Sequence, residues 1–165
     1  MAFVVEDGTG KVDANSYGSI AGADAYFAER GVTAWVGSDT VKQQNLVKAT
    51  DYIDTRFSQR FRGYVLYPDT PQALAFPRTA FDGMPAVLLK ATYEYALRAL
   101  ANPLAPDPTT DASGNTVKRF KKKVGPLEKE YEFATDTSST NAFKPYPMAD
   151  ALIAKLLNPA NRVIR

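Results

Sequence analysis

The sequence predicts a mainly α fold: a small helical bundle with a β-hairpin at about 117–133 and long ordered loops. Three observations predict it. Apolar residues recur at three- and four-residue spacing in several segments, which marks one face of a helix. Pro and Gly punctuate those segments at their ends. Between Leu127 and Phe133, apolar and acidic residues instead alternate one by one, the period of a strand.

Phe3–Val5 is a short β-like run, followed by a loop rich in Asp, Gly and Asn. Ser19 is an N-cap for a first helix, 20–30, which Gly31 ends and whose apolar stripe is Ala23, Tyr26 and Phe27. Ser38 or Asp39 caps a second helix, 40–60, with Leu46, Ala49, Ile53 and Phe57 on one face. The stretch 63–83 holds three prolines and two glycines. It also carries Tyr64, Leu66, Tyr67, Leu74 and Phe76, too many large apolar groups for a flexible linker, so it reads as an ordered loop. Pro85 opens the strongest helix, 85–101, striped by Leu88, Ala91, Tyr95 and Ala99, and Asn102-Pro103 stops it. Trp35, Phe57, Phe76 and Tyr95 are expected in or beside the core. A polar stretch, 103–116, leads to the charged segment, and a second, 134–141, leads out of it. The last helix, 147–157, starts at Pro147 and presents Met148, Leu152, Ile153, Leu156 and Leu157 on a broad face before Asn158-Pro159 ends it.

Composition narrows the function. The 165 residues suit one domain, with 45% apolar and 23% charged residues. There is no Cys and no His, which removes disulfides, thiol nucleophiles and imidazole acid–base chemistry, and leaves no zinc ligand set of the usual kind. No run approaches the ~18 apolar residues of a membrane span, and the N-terminus lacks the basic and apolar regions of a signal peptide. These features lead to the expectation of a protein made in the cytoplasm. The glycines of Asp7-Gly8-Thr9-Gly10 and Ser113-Gly114-Asn115 match neither phosphate-binding pattern. Asp51 with Asp54, and Glu6 with Asp7, are acid pairs from which a Mg²⁺ site is built in principle, although surface acids are far commoner. No enzymatic activity and no cofactor are expected.

The most unusual stretch is charged. Lys118, Arg119, Lys121, Lys122 and Lys123 crowd into six positions, and Glu128, Glu130 and Glu132 follow at every second residue. A turn near Gly125-Pro126 would set a basic strand against an acidic one, with about 0.2–1 kcal/mol per opposite pair. Three readings compete: a solvated charge-paired hairpin, a subunit–subunit surface, and a phosphate contact with Phe120 for base stacking. A formal net charge of only +2 argues against tight binding to free DNA at physiological salt.

The order Ser16-Tyr17, Ala23-Asp24-Ala25-Tyr26-Phe27, Trp35, Leu46–Asp54, Phe61–Tyr64, Pro71–Arg78, Met84–Leu100 and Lys121–Tyr131 resembles the tailed-phage head–tail connector proteins, also called adaptor or head-completion proteins. It is most similar to a branch labelled DnaT-like single-stranded DNA-binding protein. The resemblance spans about residues 3–133. It implies a structural virion protein at the head–tail neck: a ring of subunits, usually twelve, below the portal, extending the DNA channel and joining capsid to tail. The implied partners are further copies of the chain, the phage portal protein, a downstream tail or stopper protein, and genomic double-stranded DNA in transit without sequence-specific contact; no membrane is implied. The DnaT-like label implies the alternative, a single-stranded DNA-binding protein of replication. A ring needs two complementary surfaces per subunit. Candidate subunit-interface residues are therefore Lys118, Arg119, Lys121, Lys122, Lys123, Glu128, Glu130 and Glu132. Candidate portal-docking residues are Leu156, Leu157, Arg162, Val163, Ile164 and Arg165. The corresponding division is a helical connector domain, 1–145, and a C-terminal helix and docking tail, 146–165.

Overall fold

The computed structural model describes residues 2–69, 71–106, 117–123, 128–133 and 143–159, with backbone only for 117–123 and 128–133. Two compact units divide the chain: Met1–Leu104 with Pro145–Arg165, and Ala105–Lys144.

The first unit is helical. It contains α1 (Ile20–Ala28), α2 (Asp39–Phe57) continued by a 3₁₀ turn (Ser58–Arg60), α3 (Ala86–Ala101) and α4 (Pro147–Ala154). The expected caps act as such: Ser19 Oγ accepts the Gly22 N–H at 3.1 Å, and Ser38 Oγ accepts that of Val41 at 3.4 Å. Pro85 sits just before α3 and Pro147 opens α4, where a missing N–H costs no helical bond. α2 ends three residues short of expectation because its last turn tightens to 3₁₀ geometry, a common helix ending.

α2, α3 and α4 form the centre. Leu46, Ala49, Ile53 and Phe57 of α2 are all buried, as are Leu88, Ala91 and Tyr95 of α3. Trp35 and Phe76 are buried with them, so all four aromatics expected in the core are there. Fully burying side chains of this size stabilises the fold by about 1.5–3 kcal/mol each. α1 approaches α3 closely: a Cβ on Gly22 would lie 2.3 Å from the Tyr93 hydroxyl oxygen, so no larger residue fits without a shift. Among the described residues, no helix is long and apolar enough to cross a membrane.

The C-terminal helix belongs to this unit. Ala149, Ile153 and Leu156 are in the core. Asp150 accepts hydrogen bonds from the Tyr95 hydroxyl (2.5 Å), Arg56 Nη1 (3.0 Å) and the Tyr146 N–H (2.9 Å). Beyond α4, Leu157 bridges Phe61, and the Asn158 N–H donates to the Arg60 carbonyl at 2.8 Å. α4 thus packs into the core of the unit that holds α1, α2 and α3. An apolar helical stripe reports only that it needs a partner; here the partner is the same chain.

In the second unit the backbone forms β1 (Val117–Lys123) and β2 (Glu128–Phe133), paired antiparallel with an irregularity between Val117 and Arg119. The turn expected at Gly125-Pro126, and with it the hairpin as a folded unit, lies outside the described residues. So do the polar stretches 107–116 and 134–142.

Candidate functional site

A concave surface of the helical unit forms where α2 ends. After the 3₁₀ turn the chain reverses at Gly63, whose φ is +71°. A Cβ there would fall 2.6 Å from the Ala80 backbone nitrogen, so a side chain would push the two segments apart. The chain then runs antiparallel to 77–79: the Thr79 N–H donates to the Tyr64 carbonyl (2.9 Å) and the Leu66 N–H to that of Pro77 (3.1 Å). The segment after α4 closes the other side, with the Arg62 N–H on the Leu156 carbonyl at 3.1 Å and Asn158 Nδ2 on the Phe61 carbonyl at 3.3 Å. Together they frame a groove of about 640 Å³, lined by Asp54, Ser58, Gln59, Phe61, Tyr64, Val65, Arg78 and Asn158 among others.

Asp54 joins three segments. Its Oδ1 accepts from the Tyr17 hydroxyl at 2.5 Å and its Oδ2 from the Ala75 N–H at 2.9 Å. Burial pushes its carboxyl up to about 6, against the lowering effect of those two hydrogen bonds. Burial, and then the Asp54 charge, push the Tyr17 hydroxyl well above its ordinary value. Arg78 braces the wall: it donates to the carbonyls of Arg62 (3.0 Å), Gly63 (2.5 Å) and Ala75 (3.3 Å). Burial pulls its guanidinium below the ordinary value. Its fork thus ties the backbone turns together.

The exposed residues next to the groove differ from those that line it. Tyr64 is 81% exposed although its backbone is anchored on both sides. Arg60, Arg62 and Lys155 are exposed on the segments that frame the groove. Arg62 donates to the Lys155 carbonyl at 2.8 Å and lies over the Phe81 ring at 5.1 Å. Among the described residues, none of these three cations is in an ion pair. The result is unneutralised positive charge, an accessible aromatic face and a carboxylate deeper in. Those are groups that meet a phosphate, a ring and a hydrogen-bond donor respectively.

The side chains of Lys118, Arg119, Lys121, Lys122, Lys123, Glu128, Glu130 and Glu132 lie outside the described residues, as do Arg162, Val163, Ile164 and Arg165. Leu156 is 3% exposed, which places it in the core, and Leu157 is half-buried beside it. Of the acid pairs, Asp51 is exposed while Asp54 faces the groove. Glu6 holds its own loop together, its carboxylate accepting the N–H groups of Gly8 (2.8 Å), Gly10 (2.9 Å) and Lys11 (2.8 Å). The glycine loop is therefore an anion cradle already filled by its own chain. Asp7 pairs with Lys11 at 2.8 Å, and that contact, with the Thr9 hydroxyl, lowers its carboxyl to about 2.

Sequence reasoning does not find the groove. Arg60, Arg62, Tyr64 and Lys155 show no periodic signal, and Asp54 reads as one of a surface pair. The available hint is Phe61–Tyr67, a glycine-broken run too aromatic for a linker.

Fold and site define a small helical protein with a groove lined by a carboxylate, a guanidinium and an exposed tyrosine. A family model described as "Putative DnaT-like ssDNA binding protein" matches residues 1–165, and the chain belongs to that family. No curated protein and no solved structure matches the chain.

Proposed function

We propose that the chain binds single-stranded DNA weakly and without strong sequence preference, through the surface around the groove. The observation that carries this is the cluster of exposed Arg60, Arg62 and Lys155, in no ion pair among the described residues, on the segments that also carry the exposed Tyr64. Family membership supports it. Cations that follow a backbone, with an aromatic face for bases, are the recurring means of holding single strands. The small net charge limits affinity to about the micromolar range at physiological salt. No cofactor or catalytic step is involved.

The test is fluorescence anisotropy with a labelled oligo-dT. Three neutralised phosphates predict a slope of log affinity against log salt near about −2. The double variant Arg60→Glu/Lys155→Glu reverses two of the charges and should abolish measurable binding. Affinity indifferent to salt, or unchanged in that variant, sinks the reading.

A second reading is the head-to-tail ring adaptor at the portal, and one observation favours it. In the backbone register Arg119 faces Glu132, Lys121 faces Glu130, and Lys123 faces Glu128. Three opposite-charge pairs in register, with one like-charge pair at Lys122 and Lys129, suit contacts between neighbouring subunits. Native mass spectrometry without DNA, alone and with portal protein, tests it; a monomer in both samples counts against it.

A further inference from the structure

We infer that the groove beside Tyr64 is a nucleobase subsite that favours a base with an exocyclic amino group, cytosine over thymine. In it Tyr64 is the stacking face and the Asp54 carboxylate is the hydrogen-bond acceptor. This rests on the single-stranded DNA reading above and adds a base preference to it.

Three features of the site lead there. The volume, about 640 Å³, falls within the range of pockets that hold small organic ligands, about 300–1,000 Å³. Tyr64 presents its ring to solvent from a backbone fixed on both sides, by its N–H on Thr79 Oγ1 at 3.0 Å and its carbonyl on the Thr79 N–H at 2.9 Å. Each Asp54 oxygen accepts one hydrogen bond from the protein, and a carboxylate oxygen has room for a second. The cytosine amino group is a donor and satisfies it, whereas thymine offers a carbonyl at the same ring position, acceptor against acceptor.

The experiment compares oligo-dC and oligo-dT of equal length at about pH 8, above the Asp54 carboxyl at about 6. The wild type should bind oligo-dC about tenfold more tightly. Asp54→Asn should bring the two affinities together, because the amide that replaces the carboxylate presents only one acceptor oxygen. Tyr64→Ala should weaken both by about tenfold while leaving the salt slope unchanged. Its ring is mostly in solvent, so it reads out stacking whether or not Asp54→Asn folds. Equal, salt-dependent binding of both oligonucleotides by the wild type overturns the base subsite and leaves the single-strand reading standing. A preference that persists in Asp54→Asn, or a Tyr64→Ala variant that binds like the wild type, also overturns it. Binding of neither oligonucleotide overturns both.

Discussion

Glu6 and Asp54 are both acids set within the helical unit, and both hold loop amides, yet their surroundings differ. Glu6 is 2% exposed and takes three N–H groups from residues two to five positions ahead of it. The chain wraps the carboxylate and consumes it. Asp54 takes one N–H and one O–H, from residues 21 and 37 positions away, and opens onto a groove. The difference teaches that a buried acid is structural when its own loop supplies every donor. It is available to a ligand when distant segments supply only some.

The largest effect expected at the open site comes from its wall. Phe61 is 1% exposed and lies against Phe76 with ring centroids 4.9 Å apart. Phe61→Ala should cost about 3–5 kcal/mol in urea denaturation. A stability within error of wild type would mean that the groove is not backed by packed core.

Next is the charge of Asp54. Its carboxyl is raised from 3.8 to about 6, chiefly by burial, with Asp51 raising it further and Arg78 opposing. Between those two values the folded state binds more protons than the unfolded, so this group's contribution to stability falls as pH rises. Asp54→Asn, which imitates the protonated acid, should therefore be more stable than wild type at about pH 8, by up to about 3 kcal/mol. The difference should shrink to nothing only below the unfolded value of 3.8, near about pH 3, where the acid is protonated in both the folded and the unfolded state. Parallel pH–stability curves for the two proteins would contradict the placement of Asp54.

The closed site should respond in the opposite sense. Glu6→Gln replaces one acceptor oxygen with a donor that faces an N–H, and should lose about 2 kcal/mol at neutral pH. A neutral substitution that stabilises at Asp54 and destabilises at Glu6 would sharpen the contrast; the same sign at both would break it. The smallest effect is Tyr64→Ala, expected within about 0.5 kcal/mol of wild-type stability by thermal denaturation. A large loss there would make the ring structural rather than a free stacking face.

Most of the helical framework was legible. Ser19, Ser38, Pro85 and Pro147 mark helix starts by local chemistry, through capping oxygens and a missing N–H, and such signals act within a few residues. The stripe Leu46, Ala49, Ile53 and Phe57 was legible because burial on a helix repeats with its turn. The groove was not. Its parts come from α2, the segment 60–65, the segment 75–78 and the chain after α4, and no spacing in the sequence relates Asp54 to Tyr17 or Arg62 to Lys155.

The sequence by itself determined where helices begin, which faces they bury, and that no Cys or His chemistry is present. Those properties depend on side-chain type and neighbours along the chain. Only the tertiary structure decided that α4 packs on its own chain, since an apolar stripe carries no address. It alone decided that Glu6 is closed off while Asp54 stays open, because the fate of a buried acid depends on which distant donors reach it.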